Sequence, residues 1–145
     1  MISHASFQEQ VIDTLQAYID LTNIVALGEI REESWQGTEF SYPNVRVDVR
    51  TQTPEGSGNC REKASIEYFS VLAFSDLDSS LECERICFEI IECLFGAALY
   101  DEAASQGPNW MSRTVNLVQF NAPRRGSEKV WRGEVAFKVR VQEVA

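Results

Sequence analysis

The sequence predicts an α+β fold: a mainly antiparallel sheet of four to five strands with two helices packed on one face. Three observations carry this expectation. Two stretches repeat apolar residues at helical spacing behind a Ser-x-x-Glu start. Several others alternate apolar and polar residues with period two, and these strand-like stretches fall in pairs separated by Gly- and Pro-containing segments. Strands joined in this way pair antiparallel, and the apolar face of the sheet needs a helical layer to cover it.

The first helix is expected from Ser6-Phe7-Gln8-Glu9, a capping-box pattern, to about Thr22, with Phe7, Val11, Ile12, Leu15, Tyr18 and Ile19 on one face. Ile24-Val25-Ala26-Leu27, ended by Gly28, reads as a short strand or the approach to one. Residues 29–43 are polar and acidic and read as a loop whose large apolar residues are Trp35 and Phe40. Val45, Val47 and Val49 alternate with Arg46, Asp48 and Arg50, a half-buried strand. Pro54, Gly56, Gly58 and Asn59 make Thr51 to Arg61 a long, mobile hairpin connection. From Ala64 to about Phe74 both faces carry apolar residues, so this strand is expected to be central or covered on both sides.

A second capping-box pattern, Ser79 to Glu82, opens a helix to about Phe95, closed by Gly96. Cys83, Ile86, Cys87, Ile90, Ile91 and Leu94 form its buried stripe. Residues 97–112 read as a connection, Thr114 to Phe120 as a strand, residues 121–127 as a turn, and Val130 to Val141 as the clearest strand of all. In that last strand Trp131, Val135, Phe137, Val139 and Val141 face one way, and Arg132, Glu134, Lys138 and Arg140 the other.

With 145 residues the chain reads as a single domain, 1–145, with no internal repeat or linker. Three Trp, four Tyr and eight Phe argue for a packed core over disorder. The formal charge of −9 makes a nucleic-acid grip a poor expectation, but it is unevenly spread. Residues 1–112 sum to −13 and residues 113–145 to +4, so one copy has regions that could pair with another, or simply two solvated faces. The chain has no run of about 18 apolar residues, as a membrane span needs, and no signal-peptide pattern at its start. Cys60, Cys83, Cys87 and Cys93 form no CxxC pair and are expected as free thiols in a reducing cytoplasm.

Catalytic chemistry finds little support. The single histidine, His4, falls where a mobile terminus is expected, and no phosphate-loop, dinucleotide, zincin or nucleophile-elbow pattern occurs. Cys83 and Cys87, one helical turn apart, lack the further ligands that zinc needs and read as core. Asp76 and Asp78 read as a turn before a helix rather than metal ligands. The expectation is no enzyme, with no catalytic, cofactor-binding or metal-binding residues. Arg124, Arg125, Lys129 and Arg132 form a basic cluster that reads first as a contact for a protein partner, then as a plain solvated turn, and last as a nucleic-acid contact, since four charges in one hairpin are few for that.

Taken together, the helix at Ser6–Thr22, the strand Tyr42-Pro43-Asn44-Val45-Arg46-Val47-Asp48-Val49, the strand Ser65–Phe74, the helix Leu81–Gly96 and the closing strand Trp131–Val141 resemble the tail terminator, or tail completion, proteins of long-tailed phages. The resemblance spans nearly the whole chain and rests on the order and spacing of elements. It implies a virion structural protein without cofactors, assembled in the host cytoplasm. Six copies would form a homohexameric ring at the head-proximal end of the tail. The ring would stop polymerisation of the tail tube protein and offer the head-tail connector a joining surface. It would also touch sheath protein if the tail is contractile. The basic cluster would then serve a subunit or partner interface. Glu29, Glu32, Glu33, Glu39 and Glu55, on the two long loops, would line a lumen through which DNA passes without specific binding. Three alternatives stay open: another ring-forming neck or tube component; from a different class, a small ligand-binding or enzymatic α+β domain; and an adaptor that only binds another protein.

Overall fold

A computed structural model describes residues 2–34, 39–55, 64–102, 107–126 and 128–144. In chain order the elements are α1 (His4–Gln16), α2 (Ile19–Thr22), a 3-10 turn (Leu27–Glu29), β1 (Ile30–Glu32), β2 (Asn44–Glu55), β3 (Ala64–Ser75), α3 (Leu81–Leu94), β4 (Ala98–Tyr100), β5 (Trp110–Thr114), β6 (Asn116–Arg125) and β7 (Trp131–Glu143). The α+β class holds, but the described residues form seven strands rather than four or five.

The sheet runs β1-β2-β3-β7-β5-β4, and β6 also pairs with β7. Every pairing is antiparallel except the three-residue parallel contact of β1 with β2. β5 and β6 run along the same side of β7, β5 opposite residues 141–143 and β6 opposite residues 131–138. They are in effect one strand interrupted at Val115, which leaves the β7 ladder. Its N–H donates to Ala97 O (2.8 Å), its C=O accepts from Gly96 N–H (2.9 Å), and its side chain is buried.

One face of the sheet is apolar because alternate residues of β2, β3 and β7 point the same way. Val45, Val47, Phe69, Val71, Ala73, Val135, Phe137, Val139 and Val141 are all buried there. α1 covers this face with Phe7, Val11 and Leu15, and α3 with Cys83, Ile86, Cys87, Ile90 and Leu94. Phe7 meets Phe69 edge-on at 5.4 Å and Trp110 at 5.7 Å, and Phe69 stacks on Phe137 at 5.3 Å. The opposite face has no helical layer among the described residues.

The expected first helix is two. Tyr18 is extended (ψ 104°), and this break lets Leu21 and Val25 turn into the core while Ile19 stays exposed. The N-cap is Ser3, whose Oγ accepts from Ser6 N–H (3.3 Å), so His4 opens a helix rather than lying in a mobile terminus. Ser6 instead accepts a hydrogen bond from Trp110 Nε1 (2.9 Å). Neither capping box forms as read, because Ser80 is the N-cap of α3 and Glu82 accepts from Ser75 Oγ (2.8 Å). Gly96 does sit past the end of α3, with φ +80°, where a side chain would be strained.

Residues 24–27 are the approach to a strand and not the strand itself, which is β1, inside the stretch read as loop. β2 continues beyond Arg50 to Glu55 through a bulge between Val49 and Thr51. Pro54 is tolerated because β2 there pairs only with β3 among the described residues, so no ladder partner misses its N–H. β4 and β5 lie in the segment read as a connection, and β6 runs through the residues read as a turn as far as Arg125. Pro123 falls at a register shift between Asn121 and Arg124, where no ladder bond is lost. Trp35, Cys60 and the tip of the 51–61 connection lie outside the described residues.

Candidate functional site

The bare face of the sheet carries arginines where the covered face carries valines. In β2, Arg46, Asp48 and Arg50 alternate with Val45, Val47 and Val49, and in β7, Arg132 and Glu134 alternate with Gly133 and Val135. At one end of this face Tyr42, Arg46, Phe74, Arg124, Val130, Arg132 and Glu134 enclose an open groove of about 850 Å³.

The arginines are held in two ways, by aromatic rings and by a shared carboxylate. Arg46 lies between two rings, its guanidinium carbon 4.3 Å from the centroid of Phe40 and 4.1 Å from that of Phe74. Its Nε donates to Asn44 Oδ1 (3.0 Å). Arg31 covers the Phe40 ring at 4.1 Å, and desolvated guanidinium–ring contacts of this kind stabilise by about 0.5–2 kcal/mol each. Arg132 and Arg50 both donate to Glu134 Oε2 (3.4 Å each), and Ser70 Oγ donates to Glu134 Oε1 (3.5 Å). One carboxylate therefore serves two guanidiniums.

Arg124 stands directly opposite Arg132 in the β6–β7 register. Like charges so placed destabilise a sheet by a fraction of a kcal/mol, and Arg124 has no carboxylate partner among the described residues. Arg124 and Arg132 thus come together on the bare face. Arg125 borders the groove but alternates to the other side, 5.8 Å from the Trp131 ring and 4.0 Å from Asp78 Oδ1. Lys129 is exposed in the turn between β6 and β7, with φ 62°.

Of the five glutamates assigned to a lumen, four lie on or beside β1 and one at the far end of β2. Glu29 pairs with Arg31 (3.2 Å) and accepts from Ser41 N–H (2.9 Å). Glu32 accepts from Gln8 Nε2 (2.6 Å). Glu33 is exposed, and its N–H donates to Val47 O (2.8 Å). Glu39 is exposed, and its backbone carbonyl accepts from Arg31. Glu55 ends β2, ten residues from the Val45 that faces β1, so about 33 Å along the strand from this group. Its side chain lies outside the described residues.

Cys83 and Cys87 are free and buried on the stripe expected for them, and Cys93 is free and half-buried. Cys83 Sγ donates to Ala73 O (3.4 Å), and the Cys87 thiol is pushed up by its hydrogen bond with Cys83 and by burial. Burial pushes Cys93 up to about 11. No group of three or more metal-ligating side chains occurs among the described residues, and no helix of theirs is long and apolar enough to cross a membrane. Among the described residues Glu67 is the one fully buried carboxylate; burial raises its pKa although Gln52 Nε2 (2.6 Å) and Ser65 Oγ (3.1 Å) donate to Oε1. Its Oε2 finds no partner among the described residues.

No family model and no curated protein matches the chain. Among solved structures, a chain in the virion of a native gene transfer agent particle superimposes on it with a TM-score of 0.72. The two share a fold. Only 16% of residues are identical, yet the match covers 97% of this chain and 99% of that one.

Residue-by-residue reading missed Tyr42, Arg46, Phe74 and Glu134 as one site, because they come from three separate strands and the approach to one of them. The usable signal was the outward alternation itself, with cations at Arg46, Arg50 and Arg132. A second missed surface lies on α3, where Leu81, Phe88 and Phe95 are 66%, 47% and 57% exposed.

Proposed function

We propose that this chain is a structural protein of a phage-like virion, a tail terminator whose six copies form a ring on the head-proximal end of the tail tube. The reading is of a non-catalytic part: the ring stops tube polymerisation, gives the connector its joining surface, and lets DNA through. The observation that carries it is the whole-chain likeness to a virion chain of a gene transfer agent particle. The order of elements that resembles the terminator family independently points the same way. The groove supports it further, since an arginine-rich, aromatic-floored concavity on a bare sheet face suits a protein contact more than a small substrate. In this reading the acidic residues around β1 face the lumen and discourage phosphate contacts.

Labelling the chain in assembled particles and imaging them tests the reading. Label at the junction of head and tail, with overlong tails when the gene is deleted, is the expected result. Label along the tube, in the head or at the distal tip refutes the terminator role. Label at the junction with normal tail length after deletion identifies a neck component instead.

A further inference from the structure

α3 has two apolar stripes: the core takes one, and the other is largely exposed, although Phe88 meets the Phe120 ring at 5.8 Å. Leu81, Phe88 and Phe95 recur every seven residues, so they fall on one line along the outer side of the helix and its C-cap. Large apolar side chains left exposed in a row mark a contact surface. Glu84 and Glu92 sit one turn before and one turn after Phe88, so carboxylates flank the middle of the stripe, with the exposed Arg85 beside them.

The groove on the bare sheet face has the opposite character. Its floor is aromatic (Tyr42, Phe74), and its cations are Arg46, Arg124 and Arg132. Arg124 and Arg132 face each other across the ladder, with Glu134 on Arg132 and Glu128 also lining the groove, and Arg124 is left with a local conflict that an incoming carboxylate would relieve. A ridge with apolar crest and acidic flanks matches a concavity with apolar floor and basic walls. Within one chain Phe88 touches Phe120 beside the groove (5.8 Å), but α3 lies on the covered face, so its ridge can enter the groove on the bare face only of another copy.

We propose that the α3 ridge of one copy seats in the arginine groove of the next, placing Glu84 and Glu92 against Arg124 and Arg132. The contact is heterologous and repeats head to tail, as a closed ring requires, so the inference rests on the ring reading above. A symmetric α3–α3 contact would set Glu84 against Glu92 of the other copy, like against like. DNA is a poorer occupant, because Glu134 stands in the groove and the chain as a whole carries −9.

Two charge-reversed variants test this: Glu84→Arg with Glu92→Arg, and Arg124→Glu with Arg132→Glu. Each alone should lower the assembled fraction at least about tenfold near physiological salt, and an equimolar mixture should assemble, because the reversed ridge then meets the reversed groove. If both variants assemble like wild type, or the mixture fails while wild type forms rings, the contact is wrong and the ring reading stands. If wild type forms no ring in solution or on tails, the ring reading itself fails. A photo-crosslinking benzoylphenylalanine at Phe88, in otherwise wild-type chain within particles, gives an answer even if a reversed variant misfolds. Adducts to residues 40–46 or 121–134 of another copy are expected; adducts only elsewhere overturn the proposal. A fluorescein-labelled DNA duplex of about 20 base pairs completes the test. Binding abolished by Arg124→Glu with Arg132→Glu, with assembly intact, makes the groove a nucleic-acid site and overturns it too.

Discussion

Gly133→Ala tests how closely α3 lies on the sheet. A Cβ built at Gly133 would stand 2.5 Å from Cys87 Sγ, 3.5 Å from Cys83 Sγ and 3.6 Å from Pro123 Cγ. Ordinary carbon–sulfur contact needs roughly 1 Å more than the first of these, and the other two neighbours block the sideways escape. On an open strand, alanine in place of glycine would gain about 0.5 kcal/mol. Here overpacking should reverse the sign and cost about 1–3 kcal/mol. Cys87→Ala removes the obstructing sulfur and by itself should cost about 1 kcal/mol for the small cavity left. The double variant should then lie within about 0.5 kcal/mol of Cys87→Ala alone, a coupling of about 1–3 kcal/mol. Urea titration followed by far-UV circular dichroism reads this as a shift in midpoint at constant slope. A cost below about 0.5 kcal/mol for Gly133→Ala, or additive effects in the double variant, would show that α3 stands off the sheet at this point.

Other consequences can be measured directly. Cys83 and Cys87 should react slowly with a thiol reagent in native protein and fast after unfolding; a native disulfide or stoichiometric zinc would contradict their place in the core. Burial raises the pKa of Glu67, so the folded state holds its proton over a range where the unfolded chain has lost it, and stability should fall as pH rises from the ordinary glutamate value through the folded one. Glu67→Gln should flatten that part of the pH–stability curve and gain stability at neutral pH; an unchanged curve would mean that water reaches the carboxylate. Reversing Arg124 and Arg125 to Glu should weaken assembly, more so at low salt, where exposed charges are least screened. Wild-type assembly of that variant at low salt would remove both residues from the interface.

The parts of the fold legible in the sequence are those where several side chains repeat one preference. Val45, Val47 and Val49 announce β2, and Val135, Phe137, Val139 and Val141 announce β7. Ile30, Leu99 and Trp110 are each the only fully buried side chain in β1, β4 and β5, and one residue has no period. β6 is exposed nearly throughout and contains Pro123, so it is a strand because β7 offers it a ladder and not because of its own pattern. The break at Tyr18 likewise answers a tertiary demand, the entry of Leu21 and Val25 into the core. At the candidate site, the cluster from Arg124 to Arg132 is visible because those residues are close in sequence. Arg46 and Phe74 join it only through the β2–β3–β7 pairing, which no local pattern encodes. Leu81, Phe88 and Phe95 were in plain view, but a helix already supplied with a buried stripe gave no reason to look for another.

β7 is the last strand in chain order, yet it lies in the middle of the sheet, between β3 on one side and β5 and β6 on the other. As the polypeptide leaves the ribosome, everything before Trp131 waits with a gap at its centre: Phe69 and Val71 lack their cross-strand partners, and one edge of β3 stands open. Folding then depends on contacts distant in sequence, which form slowly and leave that edge available to stray pairing meanwhile. Loss of a dozen residues from β7 would therefore not fray a margin. It would divide the domain into two parts that no longer touch along the sheet, and a premature stop there should yield protein that aggregates or is degraded. The same order of events gives an assembling protein a safeguard, because a half-made chain has neither wall of the Arg124–Arg132 groove in place and cannot enter a growing structure.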